Sequence, residues 1–247
     1  MIRWLPPLFV AGLFPFLVGC GSGTYEEAFQ KSLQKTKGLA GFTMLGKNPL
    51  KIGDTPVSVR LPKDLGGTIY DKNSRSPDDS KAAPHPVRLR PEVLANLPGW
   101  VYTVEKGLRD EKNLELPVSC AIFVLDMNEL KGKADERTKS IKNTVKERYR
   151  DAAWETAEVA TPSGTHVKWE KLSATESQEF LVKAEGARPT RQQVEGQAQF
   201  WLHQSPPYVV LLAWRVPEPI EGSFKLDEFA PLTAGTIEIG ERPAAGE

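Results

Sequence analysis

Two short runs constrain the fold of this 247-residue chain more than any other feature. In Val118-Ser-Cys-Ala-Ile-Phe-Val-Leu125 and Tyr208-Val-Val-Leu-Leu-Ala-Trp214, apolar residues occupy both parities. Side chains on a strand alternate between its two faces. Val118, Cys120, Ile122 and Val124 therefore project to one side of the first run, and Ala121, Phe123 and Leu125 to the other. A strand that is apolar on both faces must be covered on both. The chain needs packed layers above and below a sheet.

The flanking pattern says what those layers are. Trp100 to Glu105 reads as a strand, followed by a charged turn over Arg109–Asn113. Residues 134–157 predict one long helix, with Ile141, Val145, Tyr149 and Ala152 as its inner stripe. Lys142, Lys146 and Arg150 interleave with Glu147, Asp151 and Glu155 on the outside, a solvated face. Four strands are expected next, at Thr165–Leu172, Glu179–Ala184, Gln197–Gln204 and Tyr208–Arg215, with Ser205-Pro-Pro207 as a hairpin turn. Phe224–Leu232 reads as a short helix and Thr236–Ile239 as a last edge strand. Hairpins imply antiparallel pairing. The expected class is α+β, an antiparallel β-sheet with helices on both faces in a three-layer sandwich, with one long helix. That order, with Pro98-Gly-Trp100 at the entry and the aromatic hairpin at 197–214, resembles the PsbP-like family of the photosystem II extrinsic proteins over residues 55–240. The resemblance implies an α/β/α fold and a binding or assembly role. It carries no site residue with it.

The N-terminus speaks to location. Arg3 is a short positive region, Trp4 to Val18 are apolar, and Gly19 is small, which is the three-part layout of an export signal. The run is short for a bilayer span, which takes about 20 apolar residues, and Pro6, Pro7 and Pro15 weaken it as a permanent helix. Leu17-Val18-Gly19-Cys20 resembles the bacterial lipobox. The resemblance implies a diacylglycerol on the Cys20 sulfur, cleavage before Cys20, and a protein held to a membrane by acyl chains. Gly21 stands where an Asp would favour the inner membrane, which leans towards the outer one.

These signals divide the chain into a signal peptide at 1–19, a lipidated cysteine with tether and short amphipathic helix at 20–54, a single domain at 55–240, and a frayed tail at 241–247. The helix of the second segment follows from Thr24-Tyr-Glu-Glu27, a capping box, and from Tyr25, Phe29 and Leu33 at spacing four. Its stripe packs on the domain or lies on the membrane surface. Val57–Leu61 reads as a strand, and the Gly-, Ser- and Pro-rich residues 66–92 as a flexible loop.

Chemistry is harder to find. Lys plus Arg and Asp plus Glu each number 32. Loss of Arg3 leaves 31 − 32 = −1, so no basic excess points to nucleic acid. With Cys20 lipidated, Cys120 has no disulfide partner and reads as a buried small hydrophobe. His85, His166 and His203 lack close ligand partners in sequence, although His166 and His203 could meet across strands. The pairs Asp78-Asp79 and Asp135-Glu136 fall in a loop and at a helix start, where acids serve the dipole. Trp100, Trp169, Trp201 and Trp214 read as core or sheet-face packing. No nucleophile elbow or P-loop occurs. No catalytic, cofactor-binding or metal residue is assigned, and no cofactor is expected. The reading is a non-enzymatic envelope domain that binds or scaffolds an unknown envelope protein or ligand. A hydrolase-like enzyme with an unrecognised site and a small-molecule or lipid carrier are the alternatives.

Overall fold

The computed structural model describes residues 26–27, 29, 32, 39–53, 55–65, 68–71, 100–128, 134–182, 186, 188 and 190–240. The chain divides into two units, residues 1–37 and 38–247. In the first, Glu26, Glu27, Phe29 and Ser32 have helical backbone and are exposed. They lie within the helix expected behind the Thr24 cap. The second unit takes in residues 38–54, which the sequence reading sets with the tether. The reason is burial: Leu45 and Ile52 are 2% and 0% exposed and pack inside this unit.

A 3-10 turn at Phe42–Met44 leads to β1 (Leu50–Lys51) and β2 (Val57–Val59), which pair antiparallel. β3 (Thr68–Asp71) pairs with β4 (Trp100–Arg109) through Thr68↔Glu105 to Asp71↔Tyr102. Within the loop expected at 66–92, Thr68–Asp71 are therefore strand; the rest of that expectation, residues 66–67 and 72–92, lies outside the described residues. Thr68-Ile-Tyr70 is a β-branched and aromatic stretch that the surrounding Gly and Pro residues obscure. β5 (Glu115–Asp126) follows a turn closed by Asp110, whose Oδ1 accepts from the Lys112 and Leu114 backbone N–H groups. Asn113 takes the left-handed conformation there, at φ 62°.

The expected long helix is shorter than the sequence suggests. α1 spans Ala134–Arg148, and residues 155–160 form β6 (Glu155–Ala160). The inner stripe persists only to Tyr149. Lys146 Nζ then reaches over the helix end to the carbonyls of Arg150 and Ala152 in the turn that follows, holding that turn against the last turn of α1. Beyond Trp154 the period becomes two, with Ala157 and Val159 turned inward and Thr156 and Glu158 outward. The two strands expected at 165–172 and 179–184 are one strand, β7 (His166–Val182). It pairs with β8 (Thr190–Ser205) in an unbroken register from Glu170↔Leu202 to Val182↔Thr190. Ladder hydrogen bonds hold this stretch where side-chain burial does not, so its polar middle hides the strand.

β9 (Tyr208–Pro217) returns from β8 across Ser205↔Tyr208. α2 (Leu226–Gly235) and β10 (Glu238–Ile239) close the unit. β10 pairs with β2, so the expected last edge strand belongs to a separate three-stranded sheet, β1-β2-β10. The large sheet has the order β3-β4-β5-β9-β8-β7-β6, and each neighbouring pair is antiparallel. The architecture is α+β.

β5 and β9 lie side by side, Cys120↔Trp214 to Asp126↔Tyr208, and their two parities enter different cores. Val118, Cys120, Ile122 and Val124 join Tyr208, Val210, Leu212 and Trp214, together with Ile52, Val57 and Val59 of the small sheet and Leu226, Ala230 and Ala234 of α2. Ala121, Phe123 and Leu125 join Val209, Leu211 and Ala213, with Ile141, Val145 and Tyr149 of α1's inner stripe. Gly235 lets α2 approach β6, where a Cβ would overlap the Ala160 carbonyl. Among the described residues no helix is long and apolar enough to cross a membrane.

The separation of the two cores is measurable by urea unfolding. Leu116→Ala removes packing from one core and Leu211→Ala from the other, and each is expected to cost about 2–5 kcal/mol. Because the sites are distant and share no partner, the double variant should sum the two within about 0.5 kcal/mol; a larger shortfall would mean the cores are coupled.

Candidate functional site

Arg215 marks the point where an apolar face gives out. It continues the parity of Val209, Leu211 and Ala213, but it carries a guanidinium. The register sets Ser119, Arg215, Ala198 and Ala174 in one row across β5, β9, β8 and β7. Glu176, next on the same face of β7, meets Arg215. Glu176 Oε1 lies 3.0 Å from Arg215 Nη2, with the side chains 7% and 11% exposed. The Tyr149 hydroxyl, just past the end of α1, donates to Glu176 Oε2 at 2.6 Å. The Tyr149 ring lies 5.3 Å from that of Phe200.

Local backbone makes this meeting possible. Gly196 pairs with both Glu176 and Pro217, and a Cβ there would lie 2.7 Å from the Val216 carbonyl oxygen. Burial pushes the Tyr149 phenol up to about 12, the nearby Glu176 charge adds to the rise, and Arg215 opposes it. The Arg215–Glu176 contact is a charge contact more than a directed hydrogen bond. Among the described residues, Glu176 Oε1 and Arg215 Nε are buried without a hydrogen-bond partner of proper geometry. The cluster fastens the end of α1 to the sheet.

Beside it opens a cleft of about 510 Å³. One wall is the turn at 148–152 and the other is β7 over residues 173–176. The cleft exists because β6 pairs with β7 only as far as Glu155↔Lys171.

The opposite face carries a second polar network. Trp201 Nε1 donates to Gln199 Oε1 at 3.2 Å, and Gln199 Nε2 donates to Asp227 Oδ1 at 2.7 Å. Lys171 Nζ stands 3.8 Å from the same carboxylate oxygen and 5.4 Å from the Trp201 ring. Asp227 sits in the first turn of α2, where its charge favours the helix dipole. This network ties α2 to β7 and β8 and opens onto no described cleft.

Cys20, Asp78, Asp79 and His85 lie outside the described residues. Cys120 is fully buried, and burial pushes its thiol well above its ordinary value. His166 is exposed at the start of β7. The His203 ring lies tilted against Trp169, with centroids 4.9 Å apart and Nδ1 3.0 Å from the Lys168 carbonyl oxygen. Burial lowers its pKa and the backbone contact works against that. The register of β7 and β8 places Trp169, not His166, beside His203. Among the described residues, no group of three or more His, Cys, Asp or Glu side chains could hold a metal ion. Asp135 and Glu136 occupy the first turn of α1, and Asp135 accepts from Gln204 Nε2 at 3.2 Å. Trp100 begins β4, while Trp169, Trp201 and Trp214 are in the core.

The Tyr149–Glu176–Arg215 cluster escaped the sequence reading. Tyr149 is legible as inner stripe, but Glu176 falls in a gap between expected strands. One signal existed: a charge that follows an apolar parity without interruption, as Arg215 does, calls for a buried partner.

No family model matches the sequence, and no curated protein or solved structure matches it.

Two outcomes test the cluster. Arg215→Met leaves Glu176 buried and unpaired and is expected to cost about 3–5 kcal/mol, whereas Arg215→Met with Glu176→Leu should recover most of that. In an ultraviolet titration one tyrosine should ionise near pH 12, and Tyr149→Phe should remove it. A phenol raised above its unfolded value near pH 10 stabilises the fold fully below that pH. Its contribution is lost as pH climbs from about 10 to about 12.

Proposed function

We propose that the chain is a lipid-anchored lipoprotein of the bacterial cell envelope, and that residues 38–247 serve as a non-enzymatic binding or scaffold domain. The observation that carries this reading is Leu17-Val18-Gly19-Cys20 at the end of a short apolar run behind Arg3. In such a setting the Cys20 sulfur takes a diacylglycerol, and a second or third chain on its freed amine makes the attachment stable. The domain then faces the periplasm or the exterior, and Gly21 favours the outer membrane. A near-neutral charge balance supports a protein or small-molecule partner over nucleic acid.

The three-layer, PsbP-like arrangement belongs to the same proposal. α1 supplies Ile141, Val145 and Tyr149 to one core and α2 supplies Leu226, Ala230 and Ala234 to the other, which supports helices over both faces of the large sheet. The binding role draws support from how the buried charges are used. Glu176 and Arg215 are taken up in a contact that, through the Tyr149 hydroxyl, joins α1 to the sheet.

Mass spectrometry of the N-terminal peptide tests the anchor. Protein from membranes should begin at Cys20 and carry acyl mass, and Cys20→Ala should abolish both the acylation and the cleavage at that point. An unacylated N-terminus elsewhere in the native protein would refute the reading.

A further inference from the structure

β7 outlasts its neighbour. β6 leaves it at Lys171, yet β7 runs on to Val182. Among the described residues, β8 is the only strand that pairs with β7 over residues 172–182. A bare strand edge presents a row of N–H and C=O groups that can accept another strand, and proteins usually blunt such edges with Pro, bulges, Lys or short length. This edge has none of these: its sequence, Leu172-Ser-Ala-Thr-Glu-Ser-Gln-Glu-Phe-Leu-Val182, holds no Pro, Gly or Lys, and its register with β8 is unbroken. Its two carboxylates do not guard it. Glu176 turns inward to Arg215, and Glu179 pairs with Arg191 of β8 at 3.3 Å.

The cleft of about 510 Å³ adjoins this edge at residues 173–176. The facing wall carries Arg148 and Arg150, both exposed, beside one carboxylate, Asp151. Among the described residues neither guanidinium has an ion-pair partner. We propose that the β7 edge at 172–182 is a strand-addition site for an extended acidic segment of a partner protein, with a carboxylate side chain reaching the Arg148–Arg150 wall of the cleft. Backbone pairing supplies the affinity and the pocket for alternate side chains supplies the selectivity. A second copy of this chain fits less well. Its β7 would bring only Glu176 and Glu179, already paired to Arg215 and Arg191, and would leave Arg148 and Arg150 unmet. The inference rests on the binding-domain reading and is independent of the lipid anchor.

The test uses the full chain in detergent, native and Cys20→Ala in parallel, with a labelled peptide of about eleven residues alternating Glu with Val or Thr, long enough to span the edge at about 3.3 Å per residue. Fluorescence anisotropy should show saturable binding, equal for both chains. Replacing the peptide's Glu by Lys, or N-methylating alternate peptide amides, should each weaken binding at least about tenfold. Arg148→Glu with Arg150→Glu should do the same while leaving the thermal melt in place. Hydrogen exchange should show new protection within residues 172–182 on binding. Failure of the acidic peptide to bind overturns the proposal, as does equal binding of the N-methylated peptide or protection confined to other residues. A free chain that is already dimeric, or already protected along this edge, would assign it to a second copy or to the chain's own residues and would equally overturn the proposal. Because Cys20→Ala binds as the native chain does, loss of anchoring and loss of this site are read separately.

Discussion

The burial of β5 and β9 on both faces is the constraint on which the rest of the domain depends. Two adjacent strands with apolar side chains on each parity cannot sit at a surface without exposing a large patch to water. The small sheet and the described helices supply side chains to the two cores. Ile52, Val57 and Val59 of the small sheet join α2 on the parity of Cys120 and Trp214, and α1 lays its stripe along the parity of Phe123 and Leu211. Packing of this kind is close to crystalline density, which is why the cover is particular. Gly235 has no Cβ because α2 lies against the Ala160 carbonyl.

Cover on the α1 side is finite, and its limit shapes the rest. The apolar stripe ends at Tyr149, and in the same region the sheet presents Arg215 and Glu176. A buried ion pair contributes little net stability once desolvation is counted, but breaking it is costly. Its effect here is positional, fixing where the helix stops and where the chain turns back into β6. That turn, in combination with the short reach of β6, leaves the cleft and the open run of β7. The proposed strand-addition surface is therefore a by-product of how the core was closed.

What was legible in the sequence follows from which forces leave a local trace. Hydrophobic burial does: the two parities of 118–125 and 208–214 separate into two cores residue by residue. The Asp135–Glu136 start of α1 and the Ser205-Pro-Pro207 turn are also local. Backbone pairing leaves little trace. Residues 173–178 are polar and small, yet they are strand because β8 lies beside them, and Thr68–Asp71 is strand because β4 does. The end of α1 departs from the sequence pattern for a related reason. Ala152 and Glu155 keep helical spacing, whereas Lys146, Tyr149 and Trp154 close the helix through contacts at Arg150, Ala152, Glu176 and Lys142.

The sequence by itself determined the α+β class, the two-faced central strands and the balance of 32 basic against 32 acidic residues, because composition and periodicity act on each residue alone. It also carries the expectation of a lipid anchor at Cys20, since a processing signal is written in consecutive residues. Only the tertiary structure decided that Arg215, Glu176 and Tyr149 meet, that the Trp169 indole and not His166 faces His203, and that β7 runs on past β6 with, among the described residues, only β8 paired beside it. These depend on strand register and on where neighbouring elements stop. Such quantities are set by the mutual fit of distant segments and have no signature within any one of them.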